Sequence, residues 1–123
     1  METSSVQRLE AYKQAHSITV SLYRRTERYP PTERYGLSSQ IRRAAGSMGA
    51  NLLEGAHRGS RAEFARFVCI ARGSCAELKY HLLLSRDLNY MDDREYGSYL
   101  EKLDKISALL YGLYKSLTVN GKR

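Results

Sequence analysis

Four successive runs of this sequence place apolar residues three and four positions apart, the spacing that lines one face of a helix. In the first, Leu9, Tyr12, Ala15, His16, Thr19, Leu22, Tyr23 and Thr26 share an arc. The second is Leu37, Ile41, Ala44, Ala45, Met48, Leu52 and Ala56. The third holds Phe64, Phe67, Val68, Ala71, Cys75, Leu78 and Leu82, and the fourth Tyr96, Leu100, Leu103, Ile106, Leu110, Leu113 and Leu117. No stretch of useful length alternates with the period of two that a strand needs. Pro30 and Pro31 stand together in the linker YPPTERYG, where they fix φ and withhold two amide donors. Gly59 followed by Ser60-Arg61-Ala62-Glu63 reads as a helix stop joined to a capping box, and Asp92 with Glu95 repeats the box after a turn at Asn89. Ser4 with Gln7 is a candidate cap for the first helix. Helices are therefore predicted at roughly 4–28, 37–58, 61–88 and 93–118, with Asn120–Arg123 trailing as a frayed end. Long helices with short connections predict one all-α domain over residues 1–123, an antiparallel up-down-up-down four-helix bundle.

Charge adds a partner class to that picture. Lys and Arg number 20 against 13 Asp and Glu, a formal net charge of +7, and the excess is spread along the chain instead of forming a basic tail. Such a field favours polyanions. Cys69 and Cys75, six residues apart on one helix, point about 120° away from each other, so neither a bridge nor a zinc spacing is expected. The opening METSSVQRLEAYKQ has no apolar signal core, and the longest aliphatic run is Leu82-Leu83-Leu84. The expectation is a reduced, cytoplasmic protein that does not span a membrane.

One segment, QIRRAAGSMGANLLEGAHRGS, holds the candidate chemistry. Its Glu54-Gly55-Ala56-His57 matches half of the Glu-x-x-His pattern of ferritin-like di-metal bundles. The other half is missing, because Glu77 is followed at the required spacing by Tyr80, with His81 one position too far. His16, on the apolar arc of the first helix, reads as a core histidine. No nucleophile-and-base arrangement or phosphate loop appears, so no enzyme, cofactor or metal is expected.

The wheel of the second helix separates two further faces. Arg43, Ser47, Ala50, Asn51, Glu54 and Arg58 make a polar arc that can meet Arg66, Ile70, Gly73 and Glu77 of the third helix in an ion-pair and amide network, within the bundle or between subunits. Arg42, Gly46, Gly49 and Leu53 make a third strip, small and partly apolar, suited to a neighbouring helix or subunit. On the third helix Arg61, Arg72, Lys79 and Arg86 fall on one line with no acid among them. They span roughly 37 Å at ~1.5 Å per residue, the footprint expected of a phosphate-backbone reader. Most of the ten tyrosines sit on core arcs or helix ends; Tyr29, Tyr35 and Tyr90 fall at connections.

Two stretches, ERYGLSSQIRRAAGSMGANLLEG and GSRAEFARFVCIARGSCAELKYHLLLSRDLNY, resemble the small bacterial proteins first noticed as reading frames within intervening sequences of 23S rRNA genes. The elements YGL-S-SQIRRAA, N-x-x-EG, S-x-x-EF and GS-x-x-EL occur in order, and the similarity runs through nearly the whole chain. The resemblance implies a four-helix bundle assembled into a ring-shaped homo-pentamer, with no attributed catalysis. A related family, the accessory proteins of diversity-generating retroelements, forms basic pentamers that bind nucleic acid. Gly49 stands where many relatives carry proline, which removes a forced kink. The resulting expectation is a non-enzymatic homo-pentamer that binds RNA or DNA through Arg42, Arg43, Arg58, Arg61, Arg72, Lys79 and Arg86. Gly46, Gly49, Asn51, Leu53, Glu54, Arg66, Gly73 and Glu77 would then hold the network and the subunit interface. A scaffold for an acidic protein and a ferritin-like metal protein are the alternatives.

Overall fold

A computed structural model describes residues 2–118; the predicted tail at Asn120–Arg123 lies outside the described residues. The elements are α1 (Glu2–Thr26), a short 3-10 turn (Pro31–Glu33), α2 (Leu37–Ala56), α3 (Arg61–Asp87) and α4 (Asp93–Thr118). Each helix packs against two neighbours in the cyclic order α1, α2, α3, α4. Side-chain pairs fix the directions. Ser21 meets Tyr99 and, one turn later, Arg25 meets Glu95, so α4 runs against α1. Arg43 with Glu77 and Ser47 with Ser74 do the same for α2 and α3.

The core is the meeting of four apolar arcs. Leu22, Ile41, Met48, Leu52, Val68, Leu78, Leu82, Leu103, Ile106, Leu110 and Leu113 are fully buried, and every member of the third arc is in the interior. The first arc is corrected. Ala11, Ala15, Ile18 and Leu22 face the core, while Leu9 and Tyr23 are exposed. His16, expected inside, is exposed and stacked on Tyr12 at 6.1 Å. Alanines allow α1 to lie close to its neighbours, and the larger side chains are thereby rotated outward.

Caps end the helices where the sequence placed them, with three adjustments. Ser60 Oγ accepts from the Glu63 amide at 3.1 Å, and Asp92 Oδ1 from the Glu95 amide at 2.8 Å. α1 already includes Glu2, so Ser4 lies inside it, and α1 and α2 stop two residues short of the predicted ends. The cap of α2 is one that the sequence reading missed. Glu33 Oε1 accepts from the Leu37 amide at 2.9 Å while Glu33 Oε2 accepts from the Tyr90 hydroxyl at 2.8 Å. One carboxylate therefore caps α2 and ties the α1–α2 connection to the α3–α4 connection.

The Leu37 amide first, and then the Tyr90 hydroxyl, hold the Glu33 carboxyl below its ordinary pKa. A depressed carboxyl adds stability above its unfolded pKa of roughly 4.3 that is lost as pH falls through the lowered folded value. Glu33→Gln is expected to flatten the acid side of a Tm-against-pH profile. A variant as acid-sensitive as the native chain would show that the tie carries none of that dependence.

Candidate nucleic-acid interface

The predicted α3 stripe is turned against α4. Arg61 Nη2 donates to the Ser116 carbonyl at 2.5 Å, and the Arg72 guanidinium lies 5.1 Å from the Tyr111 ring centre. Lys79 Nζ is 2.8 Å from Asp104. Arg86 bonds Asp87 at 3.1 Å, approaches Asp93 at 3.8 Å, and covers the Tyr96 ring. Apart from Asp87 at the end of α3, the partners of the stripe stand on the antiparallel neighbour, which a wheel of α3 alone cannot display.

The other predicted cations are also engaged inside the bundle. Arg42 donates from Nε to Thr26 Oγ1 and from Nη2 to the Tyr23 carbonyl, both at 2.9 Å, with its guanidinium over the Tyr23 ring. It thereby satisfies the end of α1, whose last carbonyls have no helical donor. Arg43 bridges Gln40 and Glu77. His81 Nε2 lies 3.1 Å from the same Glu77 carboxylate, and the two partners, His81 first, lower the Glu77 pKa.

Further along this α2–α3 seam Asn51 Nδ2 donates to Ser47, and Ser74 Oγ donates to Ser47 Oγ at 2.9 Å. At its foot Arg58 stands between Glu54 and Glu63, Arg66 bonds Glu63, and both arginines flank the Phe67 ring. Arg66 leads the influences that hold the Glu63 carboxyl below its usual range.

Gly46, Gly49 and Gly73 are not points of close helix approach within the chain. Gly46 and Gly73 face open space, and Gly49 makes only ordinary contact with Tyr12. Close approach occurs at Gly55, where an added Cβ would lie 2.6 Å from Phe67 Cβ. Leu53, at 49% exposure, lies on the outer strip with Gly46 and Gly49. In the Glu54-x-x-His57 segment the His57 ring is 2.9 Å from the Leu53 carbonyl, and among the described residues no group of three or more His, Cys, Asp or Glu is arranged to hold a metal ion.

Free cations lie on another face. Lys13, Arg24, Arg28, Arg94 and Lys105 are exposed, and their side chains make no hydrogen bond, ion pair or ring contact among the described residues. Among the described residues the Lys102 side chain has one such contact, with the Tyr99 ring at 5.7 Å. Lys102 and Lys105 line a groove of about 290 Å³ between α1 and α4 with Gln14, Ser17 and Ser21. Ser17 and Ser21 also border Arg24. Along α1 the row Lys13, Ser17, Ser21, Arg24 steps by three or four residues and spans roughly 16 Å, with Arg28 just past the end of the helix. Its sequence signal was available, since these cations share a side of the helix away from the core. It was hidden by the misplaced first arc.

A family model described as 23S rRNA-intervening sequence protein matches residues 7–112. No curated protein sequence matches. Among solved structures, a protein of unknown function from the S23 ribosomal protein family of Bacteroides thetaiotaomicron is similar, with 26% sequence identity and a TM-score of 0.76. The likeness covers 85% of this chain and 98% of that one.

Proposed function

The chain belongs to the 23S rRNA-intervening sequence protein family, and from that premise we propose a non-catalytic bundle that assembles with copies of itself and carries a nucleic-acid backbone on its α1–α4 face. The observation that supports it is the segregation of charge. Cations in the α2–α3 and α3–α4 seams have partners, whereas those beside the Ser17–Ser21 groove make no ion pair or side-chain hydrogen bond among the described residues. Phosphates satisfy unpaired lysines and arginines at every step, whatever the sequence of bases. In a ring of five, the number implied by the resemblance, the +7 of each chain would be repeated around one assembly.

Self-assembly draws its support from two separate faces poor in free charge. One holds Leu9, Tyr12, His16 and Tyr23 of α1 beside Gly46, Gly49 and Leu53 of α2, with Arg42 already engaged. The other is the outer side of α3, where Ile70, Gly73, Ala76 and Tyr80 are exposed. A closed ring joins two different faces of each subunit. A glycine in a helix interior costs ~1 kcal/mol relative to alanine, and Gly46 gains no contact within the chain to offset it.

Two measurements test the proposal. Leu53→Glu and Gly46→Leu should each lower the light-scattering mass toward the 14.0 kDa of one chain while helical circular dichroism is kept. An unchanged mass in both would remove this face from the interface. Binding of mixed-sequence oligonucleotides should weaken steeply as salt rises. No binding even at low salt would end the nucleic-acid reading and favour an acidic protein as the partner of the same cations.

A further inference from the structure

Tyr35 is 89% exposed, yet the connection that carries it is firmly held. Pro30 and Pro31 restrict its entry, and the 3-10 turn follows at once. Glu33 is anchored to the Leu37 amide and to the Tyr90 hydroxyl. Tyr29, buried beneath, packs its ring 5.2 Å from that of Tyr90, and Arg25 reaches across from α1 to the Tyr90 carbonyl at 2.6 Å. Gly36 completes the fit, since a Cβ there would come within 2.8 Å of the Glu33 carboxylate. The backbone that carries this aromatic ring is thus held in place, and the ring itself stands almost wholly in water.

Cations accompany the ring. The Arg34 guanidinium lies 5.9 Å from the centre of Tyr35 and makes no hydrogen bond or ion pair among the described residues. Arg34 also lines a cleft of about 590 Å³ with Arg42, the hydroxyl residues Thr26 and Ser38, and a single carboxylate, Glu27. Arg42 spends Nε and Nη2 on the end of α1 and keeps Nη1 for another acceptor. Arg24 and Arg28, both unpaired, extend the positive surface back toward the α1–α4 groove.

We infer that this end of the bundle holds an unpaired nucleotide, its base stacked on Tyr35 and its phosphates met by Arg34 and Arg42. The inference rests on the nucleic-acid reading above and narrows it to single-stranded segments, bulges or loops. A duplex keeps its base faces covered, whereas an unpaired base offers one to an aromatic ring, with arginine beside it for the backbone. The free cations of α1 would then follow the strand away from the stacked base.

The test compares labelled single-stranded and duplex oligonucleotides of equal length at one low salt concentration. Tyr35→Ala is expected to weaken single-strand binding by about tenfold, with duplex binding and assembly mass unchanged. Tyr35→Phe, which keeps the ring, should restore the native affinity. Tyr35→Trp gives the chain its first tryptophan, and its emission should be quenched by the single strand and not by the duplex. If Tyr35→Ala weakens both ligands equally, weakens neither, or changes the assembly mass, the nucleotide site is overturned while backbone binding stands. If the native chain binds neither ligand, the broader reading fails first.

Discussion

Replacing Gly55 by alanine is expected to lower the unfolding free energy by roughly 1–3 kcal/mol, although alanine is the better helix former by ~1 kcal/mol. The two effects oppose each other, and geometry decides between them. The new Cβ would sit 2.6 Å from Phe67 Cβ and 3.0 Å from Phe64 Cδ1. A Cβ cannot swing aside as the end of a long side chain can, because it is bonded directly to the α3 backbone. Relief therefore requires α2 and α3 to separate at this contact, loosening buried Phe64 and Phe67 in the core. Gly97, with nothing within 4 Å of its added Cβ, is the control. Gly97→Ala should gain up to ~1 kcal/mol from helix propensity alone. Urea titrations at several protein concentrations separate this effect from assembly, since association also stabilises the folded chain. A Gly55→Ala chain as stable as the native one would show that the helices part at no cost.

The bundle was legible because three of its four apolar arcs are dominated by large side chains, whose period points at the core. The first arc held at Ala15, Leu22 and Thr26 and missed at Leu9, His16 and Tyr23 for a physical reason. On α1 the core is lined by Ala11, Ala15 and Ile18, and the conspicuous Leu9, Tyr12 and Tyr23 lie on or toward the outside. Pattern reading weights size, whereas close packing selects small residues where helices approach.

A similar limit governed the candidate site. One helix wheel ranks residues by direction but cannot tell which neighbour answers them. Lys79 needed Asp104 on α4 for its role to be assigned. The tie from Glu33 to Tyr90, 57 residues away, could not be read from either connection alone.

Two sets of substitutions should therefore separate cations that hold the bundle from cations that hold a ligand. Changing Lys13, Arg24, Lys102 and Lys105 to glutamine is expected to reduce the slope of log K against log salt by roughly 3–4, at ~0.9 for each lost phosphate contact. Affinity at low salt should drop by about 100-fold or more, with Tm near that of the native chain, because these side chains make no ion pair to lose. Changing Arg72, Lys79 and Arg86 to glutamine should do the reverse. That set removes the Asp104, Asp87 and Asp93 pairings and the cover over Tyr111 and Tyr96. Its expected effect is a loss of roughly 1–2 kcal/mol of stability, with a salt slope close to native. The opposite pattern, an intact fold that no longer senses salt, would return the interface to the α3 stripe and require Asp104 and Asp93 to release their partners when nucleic acid arrives. The contrast is decisive because each set neutralises cations of one face only, so a general effect of net charge would lower both slopes in proportion to the charges removed, four against three.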